Sequence, residues 1–214
     1  MIAQGDLIIV MVALAALLTV GSFTLAIRAW RRVEPGNALV LQQWGGREPR
    51  VVFDGGAVVF PYIHKADVID LSVKRIVLDR RGKDGLVCLD CIRADVAATF
   101  LLRINPTVED VLKVARSVGC ARAADQTALE ELFTAKFAEG LKAVARQLDF
   151  EELTRERERF KDQVIMFIGQ DLNGYVLDDV AVDHLEQTPI EFLDPGNVLD
   201  AQGIKKIKSL TDRT

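Results

Sequence analysis

The chain has 214 residues, half of them hydrophobic, with a formal net charge of −4 and a mean hydropathy of +0.16. Three cysteines are too few for a disulfide framework. The basic residues lack the interleaved aromatic residues typical of nucleic-acid-binding surfaces, which argues against a nucleic-acid partner. Bases exceed acids over 28–83, whereas acids exceed bases over 121–200. This asymmetry indicates a basic, membrane-facing end and an acidic distal end.

The first predicted element is the uncharged apolar run LIIVMVALAALLTVGSFTLAI over 7–27. Its length matches a bilayer core of about 30 Å and predicts a transmembrane helix after a short extracytoplasmic tail over 1–6. A cleaved signal peptide or a buried helix is the alternative, but signal peptides carry shorter apolar cores of about 7–15 residues. The residues that follow are predicted to lie at the membrane interface and to place the main domain in the cytoplasm: Arg28, Trp30, Arg31 and Arg32.

Short strands follow this segment. A strand is predicted over 38–44, and two apolar runs around Asp54-Gly55-Gly56 predict a hairpin. The apolar stretch over 58–63 is interpreted either as a membrane contact or as a buried sheet edge. It consists of Val58, Val59, Phe60, Pro61, Tyr62 and Ile63.

Longer strands come next. A change in apolar parity over 68–78 predicts one strand with a bulge near Lys74 and Arg75. Asp84-Gly85 predicts a hairpin turn. After this turn, strict alternation predicts a strand with one buried face. That face comprises Ile92, Ala94, Val96, Ala98, Phe100, Leu102 and Ile104.

Helical periods then dominate. Thr107, Asp125 and Thr154 are predicted N-caps of three amphipathic helices. A strand is predicted over 175–182, and Asp194-Pro195 predicts the start of a final helix. The order of elements predicts an α+β fold, in which an antiparallel sheet packs with amphipathic helices.

No pattern indicates catalysis. Cys88 and Cys91 form a CxxC, but further ligands at metal-site spacing are missing, and opposite parity along a strand would separate the two thiols. His64 and His184 stand alone, so a membrane-tethered enzyme is the least favoured hypothesis. We therefore predict no enzyme, cofactor or metal.

The mixed-charge segment over 151–161 contains three arginines, Arg155, Arg157 and Arg159. Such a segment is usually a solvated helix face, supported by pairs such as Glu151 with Arg155. Contact with a neighbouring copy of the chain is the alternative function for these arginines.

The segments VEPGNALVLQQWGG, RRGKDGLVCLDCIRADVAATFLLRI and LDPGNVLDAQGIKKI, in this order after an apolar N-terminus, resemble the stomatin–prohibitin–flotillin (SPFH, Band 7) superfamily. The resemblance is to its bacterial flotillin-like branch. It implies an SPFH domain over 33–190 and, over 194–214, the start of a C-terminal helix that begins a coiled coil. The long coiled coil of flotillins is not present before Thr214, which fits either a shortened chain or a natural short form.

The resemblance also implies a function. It implies a non-enzymatic, single-pass scaffold of the bacterial inner membrane that forms homo-oligomers, contacts the lipid bilayer and organises membrane microdomains or rafts. An NfeD-like membrane protein is an implied partner. The alternative is a regulator that binds a membrane protease or transporter.

Overall fold

The computed structural model describes residues 4–43, 48–60, 64–169 and 171–212. The chain divides into two compact units, Met1–Asp70 and Leu71–Thr214. Every strand pair in the described residues is antiparallel, and five consecutive helices stand between the eighth and ninth strands instead of alternating with strands. The α+β part of the predicted fold class is therefore confirmed.

The N-terminal helix, α1, spans Gln4–Ala29. Within the described residues, no helix combines the length and the apolar character needed to cross a membrane. The prediction of a transmembrane helix over 7–27, and of the single-pass topology with it, is therefore wrong.

Two small sheets complete the unit Met1–Asp70. Strand β1 (Trp30–Arg32) pairs with β4, and β2 (Asn37–Gln43) lies between β3 and β5. The other strands are β3 (Arg50–Val52), β4 (Gly56–Val58) and β5 (His64–Asp70). The unit has a small apolar core made of Ala38, Leu39, Val40, Val51 and Ile69.

The hairpin predicted around Asp54-Gly55-Gly56 is wrong, because β3 and β4 belong to different sheets. The turn itself exists: Gly55 has a φ of 82°, and its carbonyl accepts a hydrogen bond from the Val33 N–H at 3.0 Å. The strand after this turn, β4, pairs with β1, which directly follows α1, and Trp30 lies opposite Val58. The turn residues predicted that the chain reverses, but not the strand with which β4 would pair.

The single strand predicted over 68–78 is two strands. Strand β5 pairs with β2, whereas β6 (Lys74–Arg80) pairs with β8 (Arg93–Ile104) in the second unit. The parity change that predicted a bulge instead marks the place where the chain leaves one sheet and enters another.

The main sheet of the unit Leu71–Thr214 has the order β6-β8-β10-β9, and β7 also pairs with β8. Its strands after β6 are β7 (Leu86–Val87), β8 (Arg93–Ile104), β9 (Asp171–Leu172) and β10 (Tyr175–Gln187). The alternation predicted for β8 is confirmed, because every residue of its predicted face is buried. The hairpin predicted at Asp84-Gly85 is wrong. Between β6 and β8 the chain forms a 3-10 turn (Gly82–Asp84) and then the short strand β7.

Helices cover one face of this sheet. They are α2 (Val108–Ser117), α3 (Cys120–Ala123), α4 (Gln126–Ala145), α5 (Phe150–Arg155) and α6 (Arg157–Ile168). The predicted caps Thr107 and Asp125 are confirmed: each side chain accepts a backbone N–H of the first helical turn. Thr154 is not a cap; Asp149 caps α5 in a capping box, and Thr154 lies inside that helix.

The last element is α7 (Val198–Thr211), after a 3-10 turn at Ile190–Phe192. Asn197, not Asp194, caps α7, because its side-chain oxygen accepts the N–H of Leu199 at 2.9 Å. Asp194 instead closes the turn before the helix by accepting the N–H of Gly196 at 2.8 Å.

Candidate interaction surfaces

Strand β1 directly follows α1, and the β1–β4 ribbon carries four of the ten residues predicted to lie at a membrane: Trp30, Arg31, Arg32 and Val58. Trp30, Arg31 and Arg32 are all exposed, and the Trp30 ring packs on Gly56, where a Cβ would meet it at 2.8 Å. Val58 and Phe60 are also exposed, whereas Val59 is half-buried. The side chain of Arg28 and residues Pro61, Tyr62 and Ile63 lie outside the described part, so the predictions on them stay predictions.

The two histidines have local partners. The Nδ1 atom of His64 accepts the N–H of Phe60 at 3.3 Å, which closes the loop before β5. The Nε2 atom of His184 lies 4.0 Å from the Glu186 carboxylate on β10. His64 thus contacts a backbone N–H and His184 a carboxylate, and neither contact includes a Ser, Thr or Cys nucleophile.

The mixed-charge segment is not one helix face. The backbone of Glu156 leaves the helical region, so Arg155 ends α5 and Arg157 begins α6. The predicted pair of Glu151 with Arg155 is present at 3.7 Å, and Arg159 contacts Glu156 at 2.9 Å. The Arg159 guanidinium lowers the pKa of Glu156 by a hydrogen bond. Arg157 is exposed and has no ion-pair partner among the described residues.

The CxxC forms the turn between β7 and β8. The N–H of Cys88 donates to the carbonyl of Ile92 at 2.9 Å, and Cys91 adopts a left-handed conformation with a φ of 66°. Burial raises the pKa of the Cys88 thiol to about 12, so at neutral pH it is a thiol and a poor nucleophile. Across 4–43, 48–60, 64–169 and 171–212, no cluster of three His, Cys, Asp or Glu side chains could hold a metal ion.

Helix α7 packs against the end of this turn, the first residue of β8 and Phe150 of α5. We call this surface, Asp90–Arg93 with Phe150, the α7 seat. Two ion pairs join the helix to it. Arg93 contacts Asp200 at 2.7 Å, and Lys206 contacts Asp90 at 3.0 Å. Both carboxylates are buried, with 7% and 6% of their side chains exposed.

Each buried carboxylate has further donors. Asp200 accepts the N–H of Asp194 at 3.1 Å, and Asp90 accepts the N–H groups of Ile92 and Phe150 at 3.3 and 3.4 Å. Burial by itself would raise the pKa of Asp200, but the hydrogen bonds from Arg93 and from the Asp194 N–H outweigh it and lower that pKa. Both carboxylates are therefore compensated, as buried charges must be.

The helix approaches the seat most closely at Gly203. A Cβ at this position would overlap the carbonyl oxygen of Cys91. The Cys91 thiol also donates to the side-chain carbonyl of Gln202 at 3.3 Å. A small apolar cluster completes the contact; its members are Ile92, Leu193, Ile207, Phe150 and Ile204.

Sequence reasoning missed the α7 seat. Its ion pairs join residues 107 and 116 positions apart, a separation that no local period reports. One signal was available: Gly203 interrupts a helical pattern, where glycine costs about 1 kcal/mol relative to alanine, so its presence there suggests a packing reason.

Comparison with known proteins places this chain in a family. The model of the SPFH domain / Band 7 family matches residues 31–195, more than half of the chain. The chain belongs to that family. Two relatives narrow the assignment to the bacterial flotillin-like branch. The flotillin family inner membrane protein YqiK of Escherichia coli is 33% identical over 188 residues, and its counterpart sll1021 of Synechocystis is 24% identical over 177 residues.

These alignments cover 87% and 81% of this chain, but only 34% and 26% of the relatives. The chain thus spans about a third of one curated relative and about a quarter of the other. The predicted family is confirmed, whereas the predicted domain boundaries and contact residues stay predictions.

Proposed function

We propose that this chain is the SPFH part of a flotillin-like scaffold that lies at a membrane and associates with copies of itself. The observation that carries the proposal is the exposed apolar surface of α1. Its large side chains between Met11 and Val20 are each 61–75% exposed. Soluble monomers rarely leave apolar surface of this extent uncovered. The relatives are named inner membrane proteins, which supports lipid as the cover.

We propose that the β1–β4 ribbon shares this lipid contact. Trp30, Val58 and Phe60 are 52%, 42% and 40% exposed, and the cations of Arg31 and Arg32 lie on the same ribbon. Tryptophan favours the headgroup region, and arginines near a membrane attract anionic lipid.

Quenching of Trp30 fluorescence tests this contact. The full chain with Trp44→Phe keeps Trp30 as its one tryptophan. This variant is produced by cell-free synthesis in the presence of vesicles made of brominated phosphatidylcholine and phosphatidylglycerol. We expect strong quenching compared with non-brominated vesicles. The control carries Trp30→Phe, Trp44→Phe and Val77→Trp, because Val77 is 54% exposed on the sheet of the other unit. Equal quenching of the two reporters, or none at Trp30, contradicts the proposed contact.

Self-association is proposed through the mixed-charge segment over 151–161. Arg155 and Arg159 are engaged by glutamates of their own chain, whereas the Arg157 cation is exposed and unpaired among the described residues. A cation of this kind is available to a carboxylate of a neighbouring copy.

The native mass of the extracted protein, measured by light scattering with negative-stain imaging, tests the association. We expect a ring or cage for the wild type and smaller assemblies for Arg157→Glu, with a stronger effect when Arg155 and Arg159 are also changed to Glu. The matched control is Lys136→Glu, which reverses another exposed cation, on α4. If assembly size is the same in all variants, the segment is only a solvated face.

Organisation of membrane microdomains and binding of an NfeD-like partner are further predictions that rest on the family. Family members are generally non-enzymatic scaffolds, which supports the prediction that this chain is not an enzyme. If affinity purification recovers a stoichiometric protease or transporter, the regulator is favoured over the scaffold.

A further inference from the structure

Strand β6 is an edge of the main sheet. In the order β6-β8-β10-β9, β6 pairs only with β8 among the described strands. The backbone groups of β8 alternate between its two neighbours. The carbonyl of Ile92 accepts the N–H of Cys88, just after β7, whereas the carbonyl of Arg93 accepts the N–H of Thr188, just after β10. The even-numbered residues of β8 therefore bond toward β6 and β7.

This alternation leaves half of the β6 backbone at an open edge. Ile76 and Leu78 lie opposite even-numbered residues of β8 and bond to them. The residues that point away from β8 are Arg75, Val77 and Asp79. The Arg75 carbonyl agrees with this, because it accepts the side-chain amide of Gln126 at 2.7 Å. The N–H and C=O groups of Val77 and Asp79 have no partner in the described part of the chain.

The exposed side chains of this edge are complementary to themselves. Arg75 is exposed and has no carboxylate partner within the described ranges, and Val77 is 54% exposed. The Asp79 carboxylate contacts Arg81 at 2.6 Å, and its oxygens keep lone pairs for a second donor. In an antiparallel pair of two β6 edges centred on Val77, each Arg75 lies opposite Asp79 of the other copy. Such cross-strand pairs of opposite charge attract each other.

The charges also select this register. A shift by two residues brings Arg75 opposite Val77 in one direction and opposite Arg81 in the other, so both attractive pairs are lost. The selected register brings Lys74 opposite Arg80 on the helix-covered face, but these long side chains are only half-buried and can diverge toward solvent. About six backbone hydrogen bonds would form between the two edges, two for each opposed pair of edge residues.

We propose that β6 is a two-fold interface at which a second copy of this chain extends the main sheet. Exposed edge strands are templates for another strand, and charges on them usually discourage pairing. Here the charges match in one antiparallel register, which favours a second copy as the partner. The interface deepens the proposed self-association and rests on it, but it uses residues outside the mixed-charge segment over 151–161.

A photo-crosslinking residue at position 77 tests the contact. The full chain, with p-benzoylphenylalanine in place of Val77, is synthesised with vesicles of phosphatidylcholine and phosphatidylglycerol and then irradiated. We expect a covalent dimer in which position 77 is joined to residues 76–78 of the second copy. The matched control carries the same residue in place of Ala181, which is exposed on the same face of the sheet two strands away, and should give no dimer.

Exchange of the two charges tests the register. Arg75→Asp and Asp79→Arg each place like charges opposite one another, so either change alone should lower the yield of the dimer crosslinked at 77 about tenfold. The double variant restores both attractive pairs and should recover the original yield. Circular dichroism checks that each variant is folded. Equal yields in all variants, or no recovery in the double variant, overturn the proposed register.

The native mass of the same chains separates this interface from the scaffold. A large assembly without a crosslink at 77 overturns the β6 interface and leaves the scaffold intact. A dimer that crosslinks at 77 and grows no further supports the interface and overturns the ring or cage. A crosslink from position 77 to a different protein overturns a second copy as the occupant of this edge.

Discussion

Helices α4 and α7 are both held against the unit Leu71–Thr214, but by different forces. Helix α4 packs through rings: Phe137 stacks on Phe100 of β8 at 4.4 Å and on Phe133 at 5.6 Å. Helix α7 is held by two ion pairs whose carboxylates are buried, around a glycine contact, with a smaller apolar cluster. Apolar burial contributes stability without strong direction, whereas buried charge pairs specify geometry and contribute less net stability. The comparison indicates that α4 stabilises the domain, whereas the domain fixes the position of α7.

The largest expected effect is on α4. Phe137→Ala removes a fully buried ring that stacks on two others, so we expect a loss of about 3–5 kcal/mol in the free energy of unfolding. Denaturant unfolding followed by circular dichroism measures the loss. The matched control on the same helix, Leu132→Ala, changes a side chain that is 45% exposed and should cost less than about 1 kcal/mol. Similar losses for the two variants would show that α4 is not held by its ring stack.

The next effect is on α7. Gly203→Ala forces a Cβ into the Cys91 carbonyl, and overpacking of this kind costs about 1–3 kcal/mol. In an exposed helix the same substitution would stabilise by about 1 kcal/mol, so the expected sign is opposite to the helix propensity. Hydrogen exchange should show lost protection in α7 and retained protection in β8. Ser209→Ala, at an exposed position of α7, is the control, and increased protection in Gly203→Ala would refute the close contact.

A smaller effect depends on pH. The folded-state pKa of Asp200 lies below its usual value, so its contribution to stability is present above the ordinary aspartate pKa of about 3.9 and is lost as pH falls through the folded pKa. We expect the stability difference between the wild type and Asp200→Asn to be greater at pH 6 than at pH 2.5. Thermal unfolding at both pH values measures it. Asp162→Asn, at an exposed position on α6, should show a negligible difference at either pH; a pH-independent difference for Asp200→Asn would contradict the charged pair.

The smallest effect is on the surface. Glu151→Gln breaks the exposed pair with Arg155, and such pairs contribute about 0.3–0.5 kcal/mol. The same unfolding measurement should hardly distinguish this variant from the wild type, and added salt should remove any difference. A loss above about 1 kcal/mol would mean that α5 depends on this pair more than its exposure indicates.

The same contrast explains what the sequence could predict. The buried face of β8 and the caps Thr107 and Asp125 follow from local periods and local hydrogen bonds, so they were predicted correctly. The pairs of Arg93 with Asp200 and of Asp90 with Lys206 are set by tertiary packing across most of the unit, so no pattern indicated them. The parity change over 68–78 was visible, but a bulge and a change of sheet give the same signal. The apolar run over 7–27 predicted a crossing that the structure does not support.

The contact between Cys91 and Gly203 also constrains how related sequences can vary. Residue 91 holds a left-handed conformation that turns its carbonyl toward α7, and residue 203 can be no larger than glycine while that path persists. The two positions should therefore covary. Homologous chains with a side chain at the position of Gly203 should carry a turn of different length or path between β7 and β8, and chains that keep the turn should keep the glycine.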